Sequence, residues 1–185
     1  MLKITFFLFS SLLLFSSLAF AQEASAPAMM GVKEVIVQYA HIGNPKTADD
    51  CGLSREELAG ILNKTLADYG VPAIGVTDAK PPTLGVARID LLPDIFTLSS
   101  QGLDCVSWIA LTAQSQNTVR ILPVDALRNV TVTYWHDGIM VATNPTAHEH
   151  AVGEAVEKLA KQFARQYVLD QPPTIHGYDN SNVKN

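Results

Sequence analysis

Positive charge is scarce in this 185-residue chain, which has 13 lysines and arginines against 18 aspartates and glutamates. The net charge is −5 at pH 7, and one of the few cations, Lys3, lies in the apolar N-terminal segment. Proteins that bind nucleic acids or anionic lipid surfaces usually carry a basic footprint. The composition therefore predicts that the partner is neither a nucleic acid nor an anionic membrane surface.

Local motifs of catalysis are also lacking. The chain has no G-x-S-x-G elbow for a serine nucleophile and no glycine-rich loop for phosphate. His148-Glu149-His150 contains the ligand types of zinc. Its histidines stand two apart, however, which places them roughly 200° apart on a helix, whereas helical zinc ligands stand four apart. We therefore predict no catalytic residue, no cofactor and no metal. One alternative stays open, a hydrolase whose site assembles distant residues such as His136, Asp137 and His148.

Cysteine occurs only twice, as Cys51 and Cys105, and no C-x-x-C motif is present. In an oxidising compartment an even pair of cysteines usually closes into a disulfide. We predict a structural disulfide between the two, with free thiols or a redox pair as alternatives. The chain-entropy model gives such a bridge a stabilisation of about 4 kcal/mol.

A long apolar run occurs once, at the N-terminus. Lys3 precedes a run over residues 4–18, and Ala19-Phe20-Ala21 is a small-x-small cleavage site, so residues 1–21 are predicted to be a signal peptide. The run is short for a membrane span, and position 22 is Gln rather than Cys. We therefore expect no membrane span and no lipid anchor, and a chain exported to the periplasm, or secreted if the host lacks one.

Proline and small residues divide the rest of the chain. Residues 22–31 are rich in alanine and predict a flexible N-terminal spacer. Residues 171–185 contain Pro172-Pro173 followed by polar residues, which predicts a disordered C-terminal tail. Between them, residues 32–170 show no internal repeat, and we expect a single α+β domain.

Two capped amphipathic helices are predicted. Ser54 with Glu57, and Thr146 with Glu149, have the spacing of capping boxes, and Gly70 favours the end of the first helix. Each helix has an apolar stripe at helical spacing: Leu58, Ile61, Leu62, Leu66 and Tyr69 in the first, and Val152, Val156, Leu159, Phe163 and Tyr167 in the second.

Alternating or β-branched segments predict the strands. A hairpin connection is expected around 99–102, a turn at Asp137-Gly138 and a possible extension of the sheet over 118–124. The order is then β-α-β-β-β-β-α, which predicts a two-layer α+β sandwich whose mainly antiparallel sheet of 4–5 strands has both helices on one face. The predicted strands are 32–40, 71–77, 84–92, 103–113 and 130–135.

The pattern resembles a family of small exported bacterial α/β proteins, a domain of unknown function. The residues that carry the resemblance are Gly52-Leu53, Leu58, Leu66, Gly70-Val71-Pro72, Tyr134-Trp135, Phe163 and Tyr167. The resemblance implies a bacterial, periplasmic setting. It implies no activity, cofactor or catalytic residue.

Three strand aromatics, Trp108, Tyr134 and Trp135, are the candidate interaction or pocket residues. Our first hypothesis is a non-enzymatic protein-interaction module of the cell envelope, whose partner protein docks on an exposed sheet face or edge strand. The second is a small-ligand binder with a pocket between sheet and helices, lined by Trp108 and Tyr134. Exposure of the tryptophans favours the first hypothesis, and an enclosed apolar cavity favours the second.

Overall fold

The computed structural model describes residues 28–81, 87–100, 104–121, 123 and 126–171. The predicted signal peptide and the segment 172–185 lie outside these residues. The elements in chain order are β1 (Glu34–Val37), β2 (His41–Ile42), α1 (Pro45–Asp50), α2 (Arg55–Asp68), β3 (Ala73–Gly75), β4 (Arg88–Ser100), β5 (Asp104–Ile121), β6 (Ala126–Thr143) and α3 (Pro145–Asp170). The predicted α+β class is confirmed.

The sheet is mixed and has six strands in the order β3-β1-β4-β5-β6, while β2 pairs with β4. Strands β4, β5 and β6 form the antiparallel part that the sequence predicts. The short strand β1 pairs in parallel with β3 on one side and with β4 on the other, and β2 also pairs in parallel with β4. The parallel pairing of β1 and β3 follows from the helices between them, because a helical crossover returns the chain in the same direction.

The three antiparallel strands are longer than predicted, and the predicted turn at Asp137-Gly138 is wrong. β6 continues through both residues, with Asp137 opposite Leu111 and Gly138 opposite Ala110 on β5. The Asp137 side chain accepts a hydrogen bond from the Gly138 N–H at 2.8 Å. Pairing with β5 therefore outweighs the local preference of Asp-Gly for a turn.

A register shift interrupts the ladder between β5 and β6. Ala113 lies opposite Trp135, whereas Gln114 lies opposite Thr133, so Tyr134 is the extra residue of a β-bulge. The ladder between β4 and β5 ends at Gln114. Beyond that point the described parts of β5 and β6 form a two-stranded ribbon.

Helix α2 begins as the sequence predicts. The Ser54 side chain accepts a hydrogen bond from the Glu57 N–H, and Gly70 follows the helix with a φ of +72°. Three stripe residues, Leu58, Leu62 and Leu66, are buried.

The predicted capping box of the last helix is wrong. Asn144 precedes α3, and its side chain accepts from the Ala147 N–H at 3.0 Å. Thr146 lies inside the first turn and donates to the Asn144 side chain at 2.8 Å. Asn is as good a cap as Thr, and Pro145 suits the first helical position, so the helix starts earlier than the Thr146–Glu149 spacing suggests.

The core lies between the sheet and the two long helices. All five predicted stripe residues of α3 are buried in it. Met29, in the part of the predicted spacer that the structure describes, is also fully buried, and its N–H donates to the Asp170 side chain at 3.0 Å. The Tyr167 hydroxyl donates to the Val32 carbonyl at 2.8 Å. These contacts join the start of the domain to the end of α3.

The structure contains the predicted disulfide between Cys51 and Cys105, whose Cα atoms are 6.1 Å apart. Cys51 is the C-cap of α1, and Cys105 lies on β5. Both residues are fully buried. The bond therefore ties the segment before α2 to the start of β5, and it fits a chain in an oxidising compartment.

Candidate functional site

Helices α2 and α3 pack on one face of the sheet, and no helix among the described residues covers the other face of β4, β5 and β6. On β5, Cys105, Ile109 and Leu111 point to the helices and are buried. Trp108 alternates with them and points to the other side, which we call the open face. The sequence predicts this division of β5 correctly.

An apolar cluster occupies the open face near the connection between β4 and β5. Phe96 lies opposite Trp108, which in turn lies opposite Met140, and Leu98 lies opposite Val106 in the next row. The exposed fractions are 49% for Phe96, 54% for Leu98, 45% for Trp108 and 68% for Met140. We call this set the open-face patch: Phe96, Leu98, Val106, Trp108, Met140 and Ala142.

Gly138 makes room for the Trp108 ring. A Cβ atom at Gly138 would lie 2.5 Å from Cζ2 and 2.8 Å from Cη2 of the indole. The ring therefore lies across the backbone of β6, a packing in which an aromatic side chain covers a strand glycine. This packing gives Trp108 a defined position although nearly half of its surface is exposed.

The charges that border the open-face patch are acidic. Asp94 precedes Phe96 by two positions on the open face of β4, and Asp104 precedes Val106 in the same way on β5. Both aspartates are exposed, and the Asp94 carboxylate lies 2.9 Å from Nδ1 of His41. The patch and its acidic border form the candidate docking site.

The three predicted aromatics are divided between the two faces. Trp135 packs edge-on against Phe163 of α3, with ring centroids 5.5 Å apart. The Tyr134 hydroxyl bonds to Ser115 at 2.9 Å, and Tyr134 packs against the core. Trp108 alone lies on the open face, so Trp108 and Tyr134 do not line one pocket as the second hypothesis requires.

Phe96, Leu98 and Met140 are site residues that were not predicted from the sequence. The signal for the first two was present, because the alternation of β4 continues past Leu92 with Ile95 and Thr97 buried between exposed neighbours. Met140 was missed because the predicted turn at residues 137–138 ended β6 before it.

His148 belongs to a buried hydrogen-bond network and does not face solvent. Its Nε2 lies 2.8 Å from the Ser107 hydroxyl, and its Nδ1 lies 2.9 Å from the Thr143 hydroxyl. Thr97 extends the chain of hydroxyls, with its Oγ1 2.8 Å from the Ser107 Oγ. Burial lowers the pKa of His148, because the charged imidazolium would lose its hydration. No local pattern in the sequence indicates this network, because its four members lie on four different elements, β4, β5, β6 and α3.

The serine–histidine contact is that of a nucleophile and its base, but Ser107 and His148 are both fully buried, so no substrate reaches them in this conformation. His136 is exposed, and its Nδ1 bonds to the Thr112 hydroxyl at 2.9 Å. It lies on the open face and His148 on the helix side. The structure therefore does not bring the histidines of the hydrolase alternative into one cleft.

The other two residues of the His148-Glu149-His150 motif lie at the outer surface. Glu149 faces Glu57 of α2 in an open groove of about 640 Å³ between the two helices. The neighbouring Glu149 carboxyl raises the pKa of Glu57 through a side-chain hydrogen bond and through charge repulsion. The exposed His150 lies 3.4 Å from Glu154, one helical turn away. In the part of the chain that the structure describes, no three metal-ligating side chains gather in an arrangement that could hold a metal ion.

No protein-family model and no curated protein matches this chain, so the family resemblance stays a prediction. Within the described residues, no helix is long and apolar enough to cross a membrane.

Three solved bacterial structures align with most of this chain at low similarity. The PelC L103M dodecamer from Paraburkholderia phytofirmans has 12% identity and a TM-score of 0.42, over 74% of this chain and 92% of that one. A minor lipoprotein from Acinetobacter baumannii has 11% identity and a TM-score of 0.38, over 75% and 92% of the two chains. A neuraminyllactose-binding hemagglutinin homolog from Helicobacter pylori has 11% identity and a TM-score of 0.29, over 74% and 86%.

Proposed function

We propose that this protein is a non-enzymatic protein-interaction module of the bacterial cell envelope, exported to the periplasm, which docks a partner protein on its open-face patch. The observation that carries the proposal is the exposure of four large apolar side chains, Phe96, Leu98, Trp108 and Met140, side by side on one sheet face.

Exposed apolar side chains scattered singly are normal on a soluble protein, but contiguous ones are typical of interaction surfaces. Removing apolar surface from water is favourable by about 25 cal/mol per Å², a gain that the entropy cost of association offsets in part. Trp, Phe and Met are also enriched at the centres of interfaces, where rigid aromatic side chains act as anchors. Trp108 is such an anchor, because its packing on Gly138 fixes the ring before a partner arrives.

The border of the patch defines the chemistry of the partner. Asp94 and Asp104 flank the apolar side chains on the open face. A complementary partner presents an apolar surface bordered by lysine or arginine.

Two features support export to the periplasm. The first 21 residues have the composition of a signal peptide. The disulfide between Cys51 and Cys105 is the bond of a chain that matures in an oxidising compartment.

The proposal is tested by crosslinking the protein to its partners in native envelopes with matched variants. Leu98→Ser and Trp108→Ser remove apolar surface from the patch, and Leu169→Ser is the control, because Leu169 is 75% exposed on α3, outside the patch. We expect a partner that the wild type and Leu169→Ser capture equally and that both patch variants lose. Equal capture by all four proteins would contradict the proposal.

Charge reversal tests the chemistry of the partner separately. Asp104→Lys places a cation at the border of the patch without removing apolar surface. We expect weaker capture than by the wild type, with a difference that shrinks at high salt because the aspartate is exposed. Unchanged capture at low salt would show that the partner does not carry the basic border proposed here.

A further inference from the structure

The free edge of the sheet carries a second apolar surface. Among the strands that the structure describes, β6 is the last on its side of the sheet. Its final segment, Gly138–Thr143 (GIMVAT), has no charge and no proline, and four consecutive apolar residues. Soluble proteins usually protect such edges with lysine, proline, a bulge or a covering element. The bulge of β6, at Tyr134, lies outside this segment. We call residues 138–143 the edge segment.

The edge segment is apolar on both faces of the sheet. Met140 and Ala142 belong to the open face and are exposed, Met140 to 68%. Ile139 and Val141 point to the helix side and are half-buried against the core. A strand laid against this edge therefore finds apolar neighbours above and below the sheet.

The backbone groups of Met140 point toward the free edge. The Ile95 carbonyl accepts from the Gly43 N–H on the side of β4 away from β5, so the backbone groups of its partner Ile109 point to β6 and pair with Ile139. Those of Gly138 then point outward, where its N–H donates to the Asp137 side chain. In an antiparallel sheet the backbone groups of successive residues point to alternate sides of the strand. The even-numbered residues of the edge segment, Met140 and Ala142 among them, thus direct N–H and C=O outward, where an added strand can pair with them.

We infer that the edge segment pairs with the edge segment of a second copy of this chain, antiparallel and centred on Met140. In this register Met140 faces the second copy's Met140, Ile139 faces its Val141 and Gly138 faces its Ala142. All three contacts are apolar, and the next one joins Asp137 to Thr143, so no like charges meet. Pairing ends there, because Pro145 begins α3 and leaves the plane of the sheet.

A second copy fits this edge because the pairing is the same from both sides, so that every apolar residue meets an apolar residue and no like charges meet. A two-fold axis through Met140 also keeps both open faces on the same side of the continuous sheet. Because each open-face patch reaches Met140 and Ala142, the two patches become one surface of twice the area. The pairing itself does not depend on the proposed function.

The inference is tested by sedimentation equilibrium of the full chain expressed for export and purified from the periplasm. Met140→Lys places a cation against its own copy at the centre of the pairing. Thr131→Lys is the matched control, an exposed residue of the same strand outside the edge segment. We expect a concentration-dependent dimer for the wild type and the control. For Met140→Lys we expect a dimer dissociation constant at least about tenfold higher than that of the wild type. A wild type that stays monomeric at all concentrations, or a dimer that Met140→Lys leaves intact, overturns the inference.

The register is tested with single cysteines and a short crosslinker of thiols. Met140→Cys opposes itself in the proposed pairing, so it should crosslink to a second copy. In Ala142→Cys the two introduced thiols lie about 14 Å apart along the strands, so crosslinking should be weak. Equal crosslinking of both variants, or stronger crosslinking of Ala142→Cys, contradicts the register. A thermal unfolding transition for each variant serves as the control that the domain is folded. The proposed function is tested separately by the patch variants Leu98→Ser and Trp108→Ser, so failure of the edge pairing would not by itself contradict it.

Discussion

At the scale of single residues, Gly138 has the largest effect on the proposed docking site. The indole of Trp108 occupies the space that any side chain at position 138 would need. The two closest atoms are at the far end of the Trp108 side chain, which can move, and the third is the Ile109 carbonyl oxygen at 3.1 Å, which needs to shift by only a few tenths of an ångström. The glycine thus sets the position of the anchor without being needed for the fold.

Gly138→Ala is therefore expected to displace the Trp108 ring toward solvent with a small effect on stability. Fluorescence should show a red shift of the Trp108 emission in a Trp135→Phe background, and the free energy of unfolding should change by less than about 1 kcal/mol. An unchanged emission spectrum would show that Trp108 does not depend on Gly138 for its position.

His148 gives the fold a defined pH dependence. Its pKa is lowered in the folded state because the ring is fully buried. The unfolded chain therefore binds a proton at a higher pH than the folded chain. The stability that the neutral ring contributes is complete above the usual pKa of 6.5 and is lost as the pH falls toward the folded-state pKa.

Urea unfolding at pH 7.5 and pH 5.0 measures this effect. As the pH falls from the usual pKa to the lowered pKa of His148, the free energy of unfolding of the wild type should decrease by up to about 1.4 kcal/mol per pH unit. His148→Gln should lose less than the wild type over the same range, whereas His150→Gln should behave like the wild type, because the His150 side chain is 84% exposed. Parallel pH profiles for all three proteins would be evidence against this role of His148.

At the scale of secondary structure elements, hydrophobic periodicity of 3.6 residues in the helices and 2 in the strands predicted which side chains are buried. It predicted poorly where the elements begin and end. The stripe of α3 and the alternation of β5 are local, because each residue's face follows from its neighbours. The start of α3 was misplaced, because Asn144 and Thr146 are both good caps and only the packing of the helix selects between them. β6 was cut short at Asp137-Gly138, because the partner that keeps the strand straight is β5, which is distant in sequence.

The start of α3 makes a prediction about stability. Asn144→Ala removes the side chain that accepts from Ala147 and should destabilise the protein by about 1 kcal/mol in urea unfolding. Thr146→Ala should cost less, since Thr146 only donates to Asn144. A larger loss of stability in Thr146→Ala than in Asn144→Ala would indicate instead that Thr146 is the cap.

At the scale of the whole molecule, the two long helices cover one face of the sheet, and the disulfide joins the segment before α2 to β5. No described helix covers the open face, which is where we propose that a partner docks. The α+β class and the pairing of the two cysteines could be predicted from composition, order and spacing. The candidate site could not, because Phe96, Trp108 and Met140 lie on three strands and meet only through their register. For the same reason the sequence does not show that Tyr134 lies on the other side of the sheet from Trp108.

The disulfide predicts a loss of stability on reduction. Cys51→Ser combined with Cys105→Ser should unfold at lower urea, with a loss of about 4 kcal/mol in the chain-entropy model. A reducing agent should lower the stability of the wild type toward that of the double variant and leave the double variant unchanged. If reduction leaves the stability of the wild type as it is, the bond does not contribute as proposed.

The most direct measurement of the central claim is photo-crosslinking in growing cells, with a photoreactive amino acid at position 98 or at position 169. Both positions are exposed and apolar in the wild type, but only Leu98 belongs to the open-face patch. A docked partner predicts a discrete crosslinked product from position 98 that is absent from position 169 and disappears when Trp108→Ser is added. No product from position 98, or the same products from both positions, would contradict the claim that the open face is where this protein binds its partner.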